Sequence, residues 1–230
     1  MSKKIIFEIN KELDFQNHLT GSKRVLPNMD KISPETSDYF KSLRDANEEE
    51  KRKIFEKRTT KFYSNEMTDI RTLLVKQTQE MWDLIEDKYF SKMESIHHKS
   101  FPPQTIYGIL STTPMIYSYN FSEENPWFAC PYDSSIKAIH TAMHEIMHTF
   151  FHEYFWDEYK NKFELSDEQI YLIKEAVTVI LNLEFNDIRL IPDKGHWGHE
   201  SIREKIKQDW LKYKDFEKVL KEACLYIKTI

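Results

Sequence analysis

Two histidines four residues apart enclose a glutamate in His144-Glu145-Ile146-Met147-His148. On an α-helix, residues four apart lie one above the other, so both imidazoles can face a single metal ion. Glu145 sits about 100° round the helix from His144, within reach of a water on that metal without taking a coordination position. The pentapeptide therefore offers two ligands and a base. A metal with three protein ligands and an open fourth position is the catalytic arrangement of zinc, whose bound water ionises near neutral pH. Imidazole and carboxylate ligands also accept other first-row ions. The expected chemistry is hydrolysis: Glu145 takes a proton from the water attacking a carbonyl and passes it to the departing amine, while the metal polarises the carbonyl. One further donor to the oxyanion is expected. The candidates are His199, which is preferred, and His196, Tyr117 and Tyr119.

These residues need a helix beneath them. Ile136, Ile139, Met143, Ile146, Met147, Phe150, Tyr154 and Phe155 give the segment from about Ile136 to Tyr159 a broad apolar face, which predicts a helix central to the fold. His140, His144, His148 and His152 form a ridge along it, and only the middle pair has a glutamate directly after its first histidine. His140 and His152 are expected to support the ligands or face solvent. Ser166-Asp167-Glu168-Gln169 is a capping-box signature opening a second helix that continues to about Phe185. On that helix Glu175 lies among Tyr171, Leu172, Thr178 and Val179. A carboxylate in apolar surroundings is costly to bury without a cation, which makes Glu175 the expected third ligand. Glu153, Glu164, Glu168, Glu184 and Asp187 compete. Glu153 falls about 140° round the helix from His148 and points elsewhere, so Glu184 is the reserve.

The remaining chain frames this pair of helices. With 40% hydrophobic and 31% charged residues over 230 positions, it can bury a proper core. Four glycines and many charge-rich amphipathic segments favour a mostly helical protein with a limited sheet, and fifteen Phe, twelve Tyr and five Trp supply core volume. Residues 3–9 read as a short strand, Gly21 to Pro34 as a loop, and the segment from Met67 through Ile70, Leu73, Leu74, Met81, Leu84, Ile85 and Tyr89 as one long helix ending before His97. Adjacent histidines point apart, so His97 and His98 make poor joint ligands. Ile106–Leu110 and Met115–Tyr119 read as strands, with Pro114 suggesting a free edge. Residues 120–135 read as a loop, as do Ile191–His199, and a final helical region runs from about Glu200 to Lys228. The charge run Asn47–Lys53 reads as a solvated helix face.

The whole reads as an α+β, mostly helical chain. A mainly helical N-terminal region is expected over residues 1–100 and a catalytic core over 101–230, in two domains or one continuous one. A net charge of -5 with interspersed signs recommends no nucleic acid. No apolar run approaches the roughly 20 residues of a membrane span, and the opening residues lack a signal-peptide core, so no membrane and a cytoplasmic location are expected. Cys130 and Cys224 are too few for a disulfide framework.

His144-Glu145-x-x-His148 together with Glu175 in Lys174-Glu175-Ala176-Val177-Thr178-Val179-Ile180-Leu181-Asn182 resembles the zincin metallopeptidases of the gluzincin type. The resemblance covers roughly residues 105–200. It implies a zincin-like core with a small sheet over the active-site helix and an N-terminal helical extension. It further implies Zn2+ held by His144, His148 and Glu175, Glu145 as general base, and a peptide or protein substrate whose backbone is held in extended form by an edge strand such as Gly108 to Tyr119 could provide. The sequence departs from the family at Val179, where gluzincins often carry an aspartate. A partner for His144 must then come from elsewhere. Phe151 and Tyr154 argue against the metzincin branch, which would carry a third histidine. A second reading keeps the metal but drops catalysis, giving a regulatory or protein-interaction module; a third is a helical interaction protein with no metal.

Overall fold

The computed structural model describes residues 4–24, 33–101, 105–114, 118–121, 124–195 and 198–229. The described chain is α+β and mostly helical with a small mixed sheet, as the composition implies. It divides into two compact units that interleave along the sequence, where the expected boundary at residue 100 is linear. One unit is Met1–Trp82 with Gln104–Thr141, and the other is Asp83–Pro103 with Ala142–Ile230.

In the first unit a four-stranded sheet has the order β1-β2-β4-β3, with β1 (Lys4–Glu8), β2 (Thr105–Ser111), β3 (Tyr119–Asn120) and β4 (Trp127–Pro131). β1, β2 and β4 run parallel, and β3 pairs antiparallel with β4, Tyr119 opposite Phe128. β4 corrects the expectation of a loop over residues 120–135. It lies between two other strands and all five of its residues are buried, so it lacks the apolar alternation that marks a half-exposed strand. Of the other expected strand, Met115–Tyr117 lies outside the described residues. Pro114 follows the end of β2 instead of occupying an edge.

The helices of this unit are α1 (Lys11–Arg24), α2 (Pro34–Asp45), α3 (Glu48–Thr59) and α4 (Thr68–Asp83), the last ending in the second unit. α1 continues through Gly21, so the expected loop begins later, and residues 25–32 of it lie outside the described residues. Asn47 and Glu50 form a capping box at the start of α3, whose charged face is exposed as expected. α1 is fastened to the end of β2 through Asp14, which is fully buried. Its carboxylate accepts bonds from Ser111 Oγ (2.6 Å), Thr112 N (2.9 Å), Thr112 Oγ1 (2.7 Å) and Tyr63 OH (2.8 Å), a complete set of donors for a charge taken out of water. Burial raises the Asp14 pKa, but these bonds and His18 outweigh it and the net shift is downward. Gly108 lets Phe7 close over the sheet, for a Cβ there would lie 2.7 Å from the Phe7 ring.

The expected long helix over residues 67–96 is two helices. α4 ends at Asp83 and α5 runs from Glu86 to His97. The apolar stripe was misleading in its first half: Ile70 and Leu73 are about half exposed and Leu84 is 84% exposed, while Thr78 and Trp82 are the buried positions of α4. Helical periodicity shows which residues share a face, and tertiary packing decides whether that face is covered.

The second unit holds α5, most of α6 (Ser135–Tyr154), α7 (Trp156–Lys162), α8 (Asp167–Val177), α9 (Leu181–Glu184), α10 (Glu200–Tyr213) and α11 (Phe216–Ile227). The motif helix is interrupted at Phe155, and the expected final helix is split where Lys214 takes a left-handed conformation and Asp215 caps α11. Among the described residues no helix is long and apolar enough to cross a membrane. Cys130 and Cys224 are buried and form no disulfide.

His97 lies at the heart of this unit, packed on Phe150, Phe155 and Phe216 at centroid distances of 4.8, 5.9 and 4.2 Å. Its Nδ1 meets Met93 O at 2.7 Å. Burial pushes its pKa down to about 4, against the opposing pull of that hydrogen bond. An unfolded histidine takes up its proton near pH 6.5, so from there down to about pH 4 the unfolded chain binds the proton that the folded chain refuses. The stability owed to neutral His97 is therefore complete above pH 6.5 and is lost as pH falls toward 4, by about 3 kcal/mol. Urea unfolding of the wild type and His97→Phe at pH 7 and pH 4.5 is expected to show a smaller pH loss in the variant by about that amount. Equal losses would assign the acid sensitivity elsewhere.

Candidate metal centre

His144 and His148 of α6 face Glu175 of α8, the helix opened by the capping box of Ser166 and Gln169. His144 and His148 stand one turn apart with ring centroids 4.4 Å apart and planes at 80°. Glu175, on α8 and 3% exposed, brings Oε2 to 3.5 Å from His144 Nε2 and 3.2 Å from His148 Nε2. Metal–donor bonds of 2.0–2.2 Å in a tetrahedron place neighbouring donors about 3.4 Å apart. Glu175 Oε2 thus stands at about that separation from each imidazole, and the three residues' donor atoms, all within 4.8 Å of one another, form a largely buried group that could hold a metal ion. All three were the expected ligands.

The missing partner for His144 is Asp193. Its Oδ2 lies 2.7 Å from His144 Nδ1, which fixes the ring and leaves Nε2 directed toward Glu175. Asp193 is itself held from several sides. Arg203 Nη2 donates to its Oδ1 at 2.9 Å, Gly195 N donates at 3.1 Å, and the Thr178 hydroxyl lies 3.1 Å away. The Asn182 side chain brackets the Asp193 backbone, accepting from N and donating to O, both at 2.8 Å. Thr178 stands in the tight turn Thr178–Ile180 that ends α8, where its hydroxyl also donates to Glu175 O at 2.7 Å. At the position where the family resemblance would place an aspartate, Val179 is buried, and the carboxylate arrives from the following loop. Gly195 makes this loop possible: its φ is +66°, and a Cβ there would stand 2.6 Å from the Arg203 guanidinium.

These charges act unequally on the two imidazoles. Burial depresses the His144 pKa, but the Asp193 charge and hydrogen bond, with Glu175, more than compensate and hold it up at about 10. His148 is pushed down to about 3 by burial and the nearby Lys174 ammonium, against the pull of Glu175. Lys174 is fully buried, with Nζ 2.7 Å from Glu175 Oε1.

Asp193→Ala removes the orienting bond to His144 and leaves Arg203 without its carboxylate. Metal affinity is expected to fall about 10- to 100-fold, as read by competition with a chromophoric chelator. An unchanged affinity would show that His144 needs no orienting partner.

The other expected site residues fall as follows. Glu145 is 7% exposed on α6, directly after His144. His199 is partly buried at the start of α10, where its carbonyl accepts from Arg203 N at 3.0 Å. Tyr119 lies on β3 in the first unit, and Tyr117 and His196 lie outside the described residues. His152 stacks on Trp156 at 4.5 Å, and burial with Lys174 lowers its pKa to about 4. Glu184, the reserve ligand, is taken up by Trp210 Nε1 at 2.6 Å and by Lys214. Asp187 pairs with Lys88 and Lys92, and Glu153, Glu164 and Glu168 are exposed.

No family model, curated protein or solved structure matches the chain. The functional reading therefore rests on these residues and their geometry.

Nothing in the sequence alone singles out Asp193 or Arg203. A lone acidic residue in a loop has no periodicity to betray it. The available signal was the turn-forming Pro192-Asp193-Lys194-Gly195 so soon after the ligand helix.

Proposed function

We propose that the chain is a zinc-dependent peptidase of the gluzincin type, with His144, His148 and Glu175 as ligands and Glu145 as general base. One observation carries the reading: two imidazole nitrogens and one carboxylate oxygen converge, and a glutamate adjoins the first histidine. The donor set of two nitrogens and one oxygen suits zinc and leaves the fourth position open. Bound there, zinc supplies Lewis acidity to a carbonyl and lowers the pKa of a coordinated water.

The protein's own groups do the rest. Asp193 keeps His144 in the tautomer that offers Nε2, and Arg203 holds Asp193 in place. Glu145 accepts the proton of the attacking water and delivers it to the leaving amine. His199, on the loop beside α10, is the proposed donor to the oxyanion. The proposed substrate is a peptide or protein, and an edge strand such as the short antiparallel Tyr119–Asn120 is of the kind that can pair with an extended peptide. The direct test is incubation of zinc-loaded protein with a peptide library, with mass spectrometry of the products. Cleavage abolished by chelator and restored by zinc is expected; a stoichiometric metal with no cleavage of any peptide would favour a regulatory metal module.

A further inference from the structure

The two oxygens of Glu175 have different tasks. Oε2 faces His144 Nε2 and His148 Nε2 at 3.5 and 3.2 Å, while Oε1 is 2.7 Å from Lys174 Nζ. Lys174 occupies the preceding position on α8 and is fully buried, its Nζ 4.6 Å from the centroid of the Tyr171 ring one turn earlier. Lysine is almost never fully buried without a partner, and an ammonium beside a metal centre repels the very cation the site is built to take. For metal capture alone, a neutral residue would serve better.

We propose that Lys174 is a positioning residue that confines Glu175 to one-oxygen ligation, so that a coordination position stays open and the charge at the centre stays high. This inference rests on the metal-centre reading above. A carboxylate can give a cation one oxygen or both, and a second bond from Oε1 would fill the position that substrate and water need. The Lys174 ammonium competes for Oε1 and prevents this. It also offsets the negative charge that Glu175 brings to the metal, as Arg203 offsets Asp193 on the opposite side of His144. The combined effect trades metal affinity for a more acidic centre.

The experiment uses Co2+ as a visible reporter in the full-length wild type and Lys174→Met, which preserves an unbranched stem without charge. Four-coordinate Co2+ absorbs intensely in the visible, and the absorption weakens as a fifth ligand joins. The wild type is expected to bind one Co2+ with the intense spectrum. Lys174→Met is expected to show a weakened spectrum and to bind Co2+ about tenfold more tightly, because a like charge close to the metal has gone. A merely structural lysine would leave the spectrum intact and leave or weaken the affinity, and that result would overturn the proposal. Should the variant fail to fold, infrared difference spectra of wild-type protein with and without metal decide the matter. Widely separated carboxylate stretches are expected for one-oxygen ligation, and closely spaced ones overturn it. No Co2+ uptake by the wild type would overturn both the metal reading and this one, whereas uptake indifferent to Lys174 overturns only the latter.

Discussion

Glu175→Ala is expected to lose metal and to lose stability together. The wild type should carry one zinc per chain by elemental analysis, and the variant little or none, with affinity reduced more than about 100-fold, since even partners behind the ligands are worth 10- to 100-fold. The same change strips Lys174 of its carboxylate. Leaving a fully buried ammonium without its counter-charge costs about 3–5 kcal/mol, which chemical denaturation of the metal-free proteins would register. The two losses separate with Glu175→Ala/Lys174→Met, in which the buried charge is also removed: most of the stability should return while the metal does not. Zinc retained in Glu175→Ala would move the third ligand elsewhere. Glu184 is then a poor substitute, held as it is by Trp210 and Lys214, and His152, one turn beyond His148, becomes the residue to replace next.

Glu145→Gln is expected to do the opposite, keeping the metal and abolishing turnover. The substitution preserves volume and hydrogen-bonding reach but removes the basic oxygen. A positioned general base contributes about 10²- to 10⁴-fold, so kcat should fall by that factor while KM and zinc content stay near the wild-type values. The measurement is the rate on a peptide that the wild type cleaves, with zinc quantified in the same samples. An unchanged rate would remove Glu145 from the mechanism. A fall in rate accompanied by loss of zinc would instead make Glu145 part of the binding site.

The two substitutions divide the motif by role. A histidine–carboxylate cluster that merely stores or senses metal would respond to the first and not to the second. A peptidase responds to both, and in different observables.

Much of this centre was legible in the chain because helical spacing is a short-range rule. His144 and His148 face one way because four residues make about one turn, and Glu145 lies beside them for the same reason. The capping box at Ser166 and Gln169 marked the start of α8 and so placed Glu175 on a helix. The choice among competing carboxylates was not local. Glu175 and Glu184 both lie beyond that capping box, and only packing showed that one meets the histidines and the other meets Trp210 and Lys214.

What lay beyond sequence depended on contacts between distant residues. Asp193 reaches His144 across 49 positions and is held by Arg203 from a later helix, and no pattern within either segment announces the pairing. β4 hid because a strand buried on both faces does not alternate. The stripe on α4 misled because periodicity reports a shared face and says nothing of whether another element covers it. The sequence by itself determined the helix under the histidine pair, the capped start of the helix that carries Glu175 and the chemical kinds of group on each face, all set by neighbours a turn apart. Only the tertiary structure decided which carboxylate meets which imidazole and which buried cation balances it, because those energies arise where segments far apart in the chain exclude water from one another.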